Sequence, residues 1–463
     1  MKRVFLIVLC LTLLTGLIGC NGPSEPDGSG AEDASAIVSN SASSGEEVVA
    51  PEGVVWPEIE VTNPVVKYLW WLDPSMLNNP DTWIYRMNEL LKDKYGAHLE
   101  IVSTSYEELP TKAAQMVLSQ NSPDLVFYKP QDYPNFILQN IAQPVDKYID
   151  FNDDNWSKVK EINDQFLWNG QHYLIVPSMV QNYITLYWKS LFEDAGLKTP
   201  YEYYQEGNWN WDTMLELARK LTSDEDGDDN PDIWGFAAHP MHFYQTTGVD
   251  LVTIENGAVT NNLRSATLAR AMKFLYDAGP QKYNVRTTDL SKWETLFPRG
   301  RLAMLLQEDY VKETYIELIR EGKVGIAPAP KDPEADEYYI PGKIEASWIP
   351  NGAQNVAGAV AYMTVVMMND QDPELIAWSR EQTKQLYNFS DEQIQMFRDM
   401  DKNLSLFYPQ YLGMGNFGNQ GQWEMWGELY TWNLPWETEV EKFYPIFQAQ
   451  IDEVKDAYKT AKG

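Results

Sequence analysis

Residues 170–222 read GQHYLIVPSMVQNYITLYWKSLFEDAGLKTPYEYYQEGNWNWDTMLELARKLT. The stretch opens on an apolar run, Tyr173 to Val176, that Pro177 stops. A second apolar and β-branched run, Tyr183 to Trp188, has the length and composition of a buried strand. The segment Lys189 to Ala195 reads as a short helix closed by Gly196, the residue type that tolerates the left-handed turn after a helix end. A Pro-containing loop then leads to Trp211-Asp212-Thr213. Asp212 or Thr213 is expected to cap a helix that carries Met214, Leu215, Leu217, Ala218 and Leu221 at helical spacing.

Taken together, a strand ending in Pro, a short spacer, a strand ending Tyr187-Trp188-Lys189, LFEDAGL, a Trp-Asp helix and Lys220-Leu221-Thr222 form a pattern. It resembles the extracellular solute-binding proteins of ABC importers, in the branch that takes up sugars and oligosaccharides. The resemblance implies an α/β, two-lobe periplasmic-binding-protein-like fold, each lobe a mostly parallel sheet flanked by helices. It makes this stretch the first crossover between the lobes, with a hinge near Val180 to Ile184 and the ligand cleft beside it. Fitted to that pattern, the first lobe comprises 61–182 and 347–390, and the second 183–346 and 391–463.

The rest of the chain agrees with that frame. At 463 residues it exceeds one typical domain. A net charge of −31 argues against nucleic-acid binding and against adhesion to anionic membranes. Its two cysteines, Cys10 and Cys20, precede the folded part, so a disulfide framework and a cysteine metal site are excluded. The 17 Trp and 27 Tyr lie often beside Asn, Asp and Gln, a setting that suits sugar rings as well as protein cores.

Residues 1–20 read as a secretory signal: Lys2 and Arg3 precede an apolar stretch, Val4 to Leu14, too short for a membrane span. Leu17-Ile18-Gly19-Cys20 resembles a bacterial lipobox, which implies lipid attachment (palmitate or a related acyl chain) at Cys20 on the extracellular face of the cell membrane. Residues 21–60 are mostly Ser, Gly, Glu, Asp, Ala and Pro, a composition that cannot bury a core and reads as a disordered tether.

From Val65 the pattern is β-α-β-α-β: strands at Val65–Trp71, His98–Val102 and Pro123–Tyr128, with helices at Trp83–Tyr95 and Leu109–Ser119 between them. Ligands gather at the carboxyl ends of strands in such sheets. The segment WETLFPRGRLAMLL, 293–306, resembles the family's entry into a second-lobe strand, and Ser347 to Met368 a return through the hinge. Helices are expected at Ala266–Ala278, Asp372–Leu386 and Lys442–Lys459.

Three sets of residues are candidates for chemistry. For a sugar, the carboxyl end of the first strand offers Trp70, Trp71 and Asp73, and that of the third offers Tyr128. Gln181 at the hinge, Glu308 and Asp309 supply groups for hydroxyls, Tyr310 falls where the resemblance places an aromatic ring, and Trp348, Trp423 and Trp426 complete the set. For a metal, Asp224, Asp226, Asp228, Asn230 and Asp232 alternate around Gly227, a hard-oxygen pattern that suits a structural calcium ion but departs from the EF-hand spacing. An acidic surface turn explains the same residues. The pair His239/His242 suggests a metal less well, because Pro240 breaks the regular helix that would align them.

The leading function is a lipid-anchored, monomeric receptor that delivers an oligosaccharide to ABC permease subunits, with no cofactor and no catalytic residues. An extracellular glycoside hydrolase using Glu308/Asp309 or Glu437/Glu439 is the rival, with a surface polysaccharide-binding lipoprotein as a third reading.

Overall fold

The computed structural model describes residues 54–462 except 81, 130–131, 256–257, 288–291, 404–405, 408–424 and 426–433. Ten strands organise it: β1 Val65–Trp70, β2 His98–Ser103, β3 Leu125–Phe127, β4 Met179–Gln181, β5 Tyr183–Trp188, β6 Trp234–Ala238, β7 Leu302–Glu308, β8 Val324–Pro328, β9 Ile340–Ile344 and β10 Ser347–Trp348. The first sheet has the order β10-β3-β1-β2, with β1 parallel to both neighbours and β10 antiparallel at the edge. The second has the order β8-β5-β7-β6, in which β6 and β7 are parallel and β5 runs against β7 and β8. Each is the floor of one lobe.

Helices cover the first sheet for local reasons. The helix Trp83–Tyr95 starts where the Thr82 hydroxyl accepts from Tyr85 N–H and ends at Gly96, whose φ of 66° closes the turn. Asp124 ties the sheet to the chain that returns to it. Its carboxylate accepts from Lys67 N–H on β1 and from the N–H groups of Gln354 and Asn355. Asn355 then caps Val356–Met368, a helix buried along nearly its whole length.

In the second lobe, the helix Trp211–Leu221 lies on β6 through Gly235; a Cβ there would come within 2.5 Å of the Ala218 carbonyl oxygen. The cap expected at Asp212 or Thr213 is Asn210. Its extended backbone lets the side-chain oxygen accept from Thr213 N–H, while Asp212 falls in the first turn, where its charge complements the helix dipole. Of the run Tyr173–Val176, Leu174 to Val176 are buried, but the run is not a strand, because only Ile175 pairs, with Ser347. The expected helix at Lys442–Lys459 is longer, Trp436–Lys462.

Two of the segments that run between the sheets lie side by side. β4 and β9 pair antiparallel, with Gly342 opposite Gln181. β4 leads into β5 of the second sheet, and β9 leads on to β10 of the first. β9 is thus the middle strand of a three-stranded sheet, paired with β4 across about 160 residues of sequence and, in parallel, with Leu406–Phe407.

Candidate functional site

The carboxyl ends of β1 and β3, the β4–β9 pairing, and the carboxyl ends of β6 and β7 hold the candidate residues. On the second-lobe side strand pairing assembles them. Glu308 lies opposite Tyr183 in the β7–β5 register. Asp309 N–H donates to the Asn182 carbonyl at 2.6 Å, and Asn182 N–H donates to the Pro341 carbonyl at 2.7 Å. Gln181, Glu308 and Asp309 are thus held at one corner, with Tyr310 following and packed on the second core. Asp309 is ion-paired to Lys312 at 2.7 Å.

His242, on the short helix after β6, stacks on Tyr183 with ring centres 4.2 Å apart and places Nε2 3.9 Å from Glu308 Oε1. Burial lowers the His242 pKa to about 3 and pushes His239 well below its ordinary value, so both rings are neutral near pH 7. His239 Nδ1 accepts from Met241 N–H as the cap of that helix. That nitrogen is not open to a metal.

On the first-lobe side the rings divide. Trp70 is 2% exposed and stacks on Phe127 at 5.2 Å, inside the core beside Tyr68. Trp71, half-buried, stands edge-on to Phe127 and to Tyr106. Tyr128 is buried against Phe166, and its N–H donates to the Ala346 carbonyl of the returning chain. Trp348 is buried face to face with Phe136 at 5.0 Å. The indole N–H groups of Trp70, Trp71 and Trp348 are buried without a hydrogen-bond partner among the described residues. Asp73 is exposed and caps the turn Pro74–Asn78; the hydrogen bond from Ser75 N–H holds its carboxyl below the usual range. Just past β3, burial pushes Asp132 up to about 7 against the pull of Lys129. Trp423 and Trp426 lie outside the described residues.

Sequence reading passed over a small cavity at the ends of β6 and β7. It is about 80 Å³ and is lined by Ala237, Ala238, His239, Trp293, Leu305, Leu306 and Gln307. The signal was available: His239 directly follows a buried strand, the position where ligands collect in parallel sheets.

The acidic loop follows the helix Trp211–Leu221 and leads into the amino end of β6, whereas His239 stands at its carboxyl end. Asp224, Asp226 and Asp232 bring one carboxylate oxygen each within 4.8 Å of one another. Asp228 is not in that group; its carboxylate accepts from Asn230 N–H in a turn. Asp226 accepts from Asp228 N–H, which works to lower its pKa, yet the carboxylates of Asp228, Asp232 and Asp224 hold it above the usual value. Such crowding of like charge is the condition a divalent cation relieves.

Neither carboxylate pair has the layout of a glycosidase site. Glu308 and Asp309 are successive residues at a strand end, and Asp309 is neutralised by Lys312. Glu437 and Glu439 are two apart on a helix and point to different faces.

The family model of the bacterial extracellular solute-binding proteins matches residues 73–373. No curated protein matches the chain. Among solved structures, a sugar-binding protein from the phytopathogen Xanthomonas citri is 14% identical with a TM-score of 0.64, covering 85% of this chain and 99% of its own. A cyclo/maltodextrin-binding protein complexed with maltotetraose is 14% identical with a TM-score of 0.63, over 85% and 98%. An ABC substrate-binding protein from Listeria monocytogenes in complex with cycloalternan is 15% identical with a TM-score of 0.57, over 85% and 99%. At such identities the likeness is one of fold.

Proposed function

Because this chain belongs to the bacterial extracellular solute-binding proteins, a family that binds solutes and does not transform them, we propose that it is the carbohydrate receptor of an ABC importer. The ligand is an oligosaccharide, held where the two sheets face each other across the β4–β9 pairing. What supports this reading is that Gln181, Glu308, Asp309 and Tyr310 meet beside the β4–β9 pairing, while Trp71 and Tyr106 lie in contact just past the carboxyl ends of β1 and β2. Flat rings take the C–H faces of a pyranose, and carboxylates and amides take its hydroxyls. Relatives of the same fold hold maltotetraose and cycloalternan, which supports the ligand class.

The lobes are taken as 61–182 with 347–390, and 183–346 with 391–463. Tyr387 and Phe389 pack with Ile184 and Leu186 of the second sheet, so the crossing near residue 390 falls next to the second core. Lipid attachment at Cys20 and a tether over 21–60 would hold the receptor beside its permease on the outer face of the membrane. A Cys20→Ser chain should be found in the medium or accumulate uncleaved; acylated, membrane-retained protein from that variant overturns the anchor. The group Asp224, Asp226 and Asp232 would hold a structural calcium ion. Chelation should then lower the melting temperature without abolishing ligand binding, and a calcium titration with neither heat nor stabilisation makes the loop an acidic turn.

A thermal-shift screen against maltose-, cellulose-, chitin- and mannan-derived oligosaccharides tests the central reading, since a ligand bound only by the native state raises its melting point. At least one series should raise it by several degrees with no shortening of the sugar. Release of shorter products would identify a hydrolase instead.

A further inference from the structure

We propose that Lys312 is a positioning residue for the ligand: it holds the Asp309 carboxylate ionised and aimed, so that Asp309 acts only as an acceptor for a sugar hydroxyl, a role that rests on the carbohydrate reading above. Three observations carry it. The first is the way the backbone sets Asp309. The residue follows the carboxyl end of β7 and is 8% exposed. Its N–H donates to the Asn182 carbonyl, between β4 and β5, and Asn182 N–H donates to the Pro341 carbonyl of β9. The main chain thus fixes Asp309 beside the β4–β9 pairing whatever its side chain does.

The second is the ion pair. Lys312 Nζ lies 2.7 Å from Asp309 Oδ2, and the two side chains are 17% and 12% exposed. At that depth the pair is unlike a surface one. A buried carboxylate without a cation takes up a proton sooner than it stays charged, and a protonated carboxyl offers a donor where the ion offers only acceptors. Paired, Asp309 remains an acceptor. A carboxylate accepts about four hydrogen bonds, more than one ammonium group uses.

The third is what backs the lysine. Tyr387, the last residue of the helix Pro373–Tyr387, has its ring centre 6.0 Å from Lys312 Nζ. Burial pushes the Tyr387 hydroxyl far above its ordinary pKa, so it stays a donor, and it donates to Glu313 Oε1 at 2.9 Å. Beside it, Arg320 Nε donates to the Leu386 carbonyl at 2.7 Å. The ring is pinned by its hydroxyl and by its own backbone, and a lysine enclosed against it keeps less of the rotamer freedom that blurs an exposed one. The other charged or titratable groups at this corner do not stand in for Lys312. Glu308 and Glu313 are acids, His242 is neutral, and Arg320 is turned to Glu317 at 2.9 Å.

Titration calorimetry from pH 8 to pH 5 on the full chain tests the assignment. The probe is the member of the maltose-, cellulose-, chitin- and mannan-derived series that gives the largest thermal shift. Lys312→Met, which keeps the reach of the side chain and drops its charge, should weaken binding by about tenfold or more at pH 7. The loss should deepen towards pH 5 as Asp309 takes up a proton. Lys312→Arg, which restores the charge, should recover most of the affinity with a pH profile parallel to wild type. In carbon-13 NMR of the ligand-free protein, the Asp309 carboxyl should titrate at a higher pH in Lys312→Met than in wild type, which a mere loss of packing would not produce; ligand-free melts report whether the variants are folded. A Lys312→Met binding profile parallel to wild type, or an Asp309 carboxyl that titrates at the same pH in both, overturns the role of Lys312 and leaves the carbohydrate receptor intact. Silence from every sugar in the thermal-shift screen overturns that reading and the positioning role together.

Discussion

At the scale of single residues, the two neighbouring tryptophans of β1 separate packing from recognition. Trp70 is sealed between Tyr68 and Phe127, so Trp70→Ala removes core volume and should cost about 3–5 kcal/mol of stability. Trp71 meets Phe127 and Tyr106 in near-perpendicular ring contacts and stays half-buried. Trp71→Ala should leave the ligand-free melting temperature nearly unchanged and weaken the best oligosaccharide by about tenfold. Paired melts and titrations on the two variants check this; the same stability loss in both would put Trp71 in the core. The residue scale also fixes an acid response. The folded-state pKa of His242 is depressed to about 3, so below about 6.5 the unfolded chain takes up a proton that the fold refuses, and stability drains away as pH falls from about 6.5 to about 3. Asp132 works oppositely: raised to about 7, it is protonated in the fold but not in the unfolded chain between about 4 and 7, so its contribution declines as pH rises through that window. The two slopes oppose each other between about 4 and 6.5. Urea melts across that range should show His242→Gln losing the acid-side decline and Asp132→Asn losing the other. A His242→Gln profile that still parallels the wild type would contradict the buried neutral ring.

At the scale of elements, close approaches decide which glycines are replaceable. Gly235 meets the Ala218 backbone of the helix above it, which cannot move without shifting the whole helix. Gly342 in β9 would meet the flexible side chain of Met179. Gly235→Ala should therefore cost about 1–3 kcal/mol by overpacking, and Gly342→Ala distinctly less; chemical denaturation of both ranks them, and the reverse order would contradict the helix-on-sheet contact. The elements are also where the sequence was most legible. The helices Trp83–Tyr95 and Ala266–Ala278 stand at their expected bounds, because a capping residue and a regular apolar spacing mark both ends. The run Tyr173–Val176 misled because burial and strand pairing look alike in composition; only the backbone register shows that Ile175 alone finds a partner. The strand end that carries Glu308 and leads into Asp309 was legible in the sequence. The Trp293 pocket was not, since it is made by a helix settling on two strands that are about 60 residues apart in the chain. Nor does composition tell which aromatic at a strand end is sealed in and which is only half-buried, as Trp70 and Trp71 illustrate.

At the scale of the whole molecule, the two sheets are linked through the short β4–β9 pairing, to which Leu406–Phe407 adds a third strand. β4 and β9 pair through three residues each, so a hinge at that place would disturb few hydrogen bonds. An oligosaccharide that touches both lobes favours the closed arrangement by its differential contacts and shifts the population towards it. The measurement that bears on this most directly is small-angle X-ray scattering on the soluble chain from residue 54, with and without the oligosaccharide that gives the largest thermal shift. Closure predicts a smaller radius of gyration and a shorter maximum dimension at saturating ligand, with the same molecular mass. Tight binding with superimposable scattering curves would contradict a receptor that works by closing its lobes.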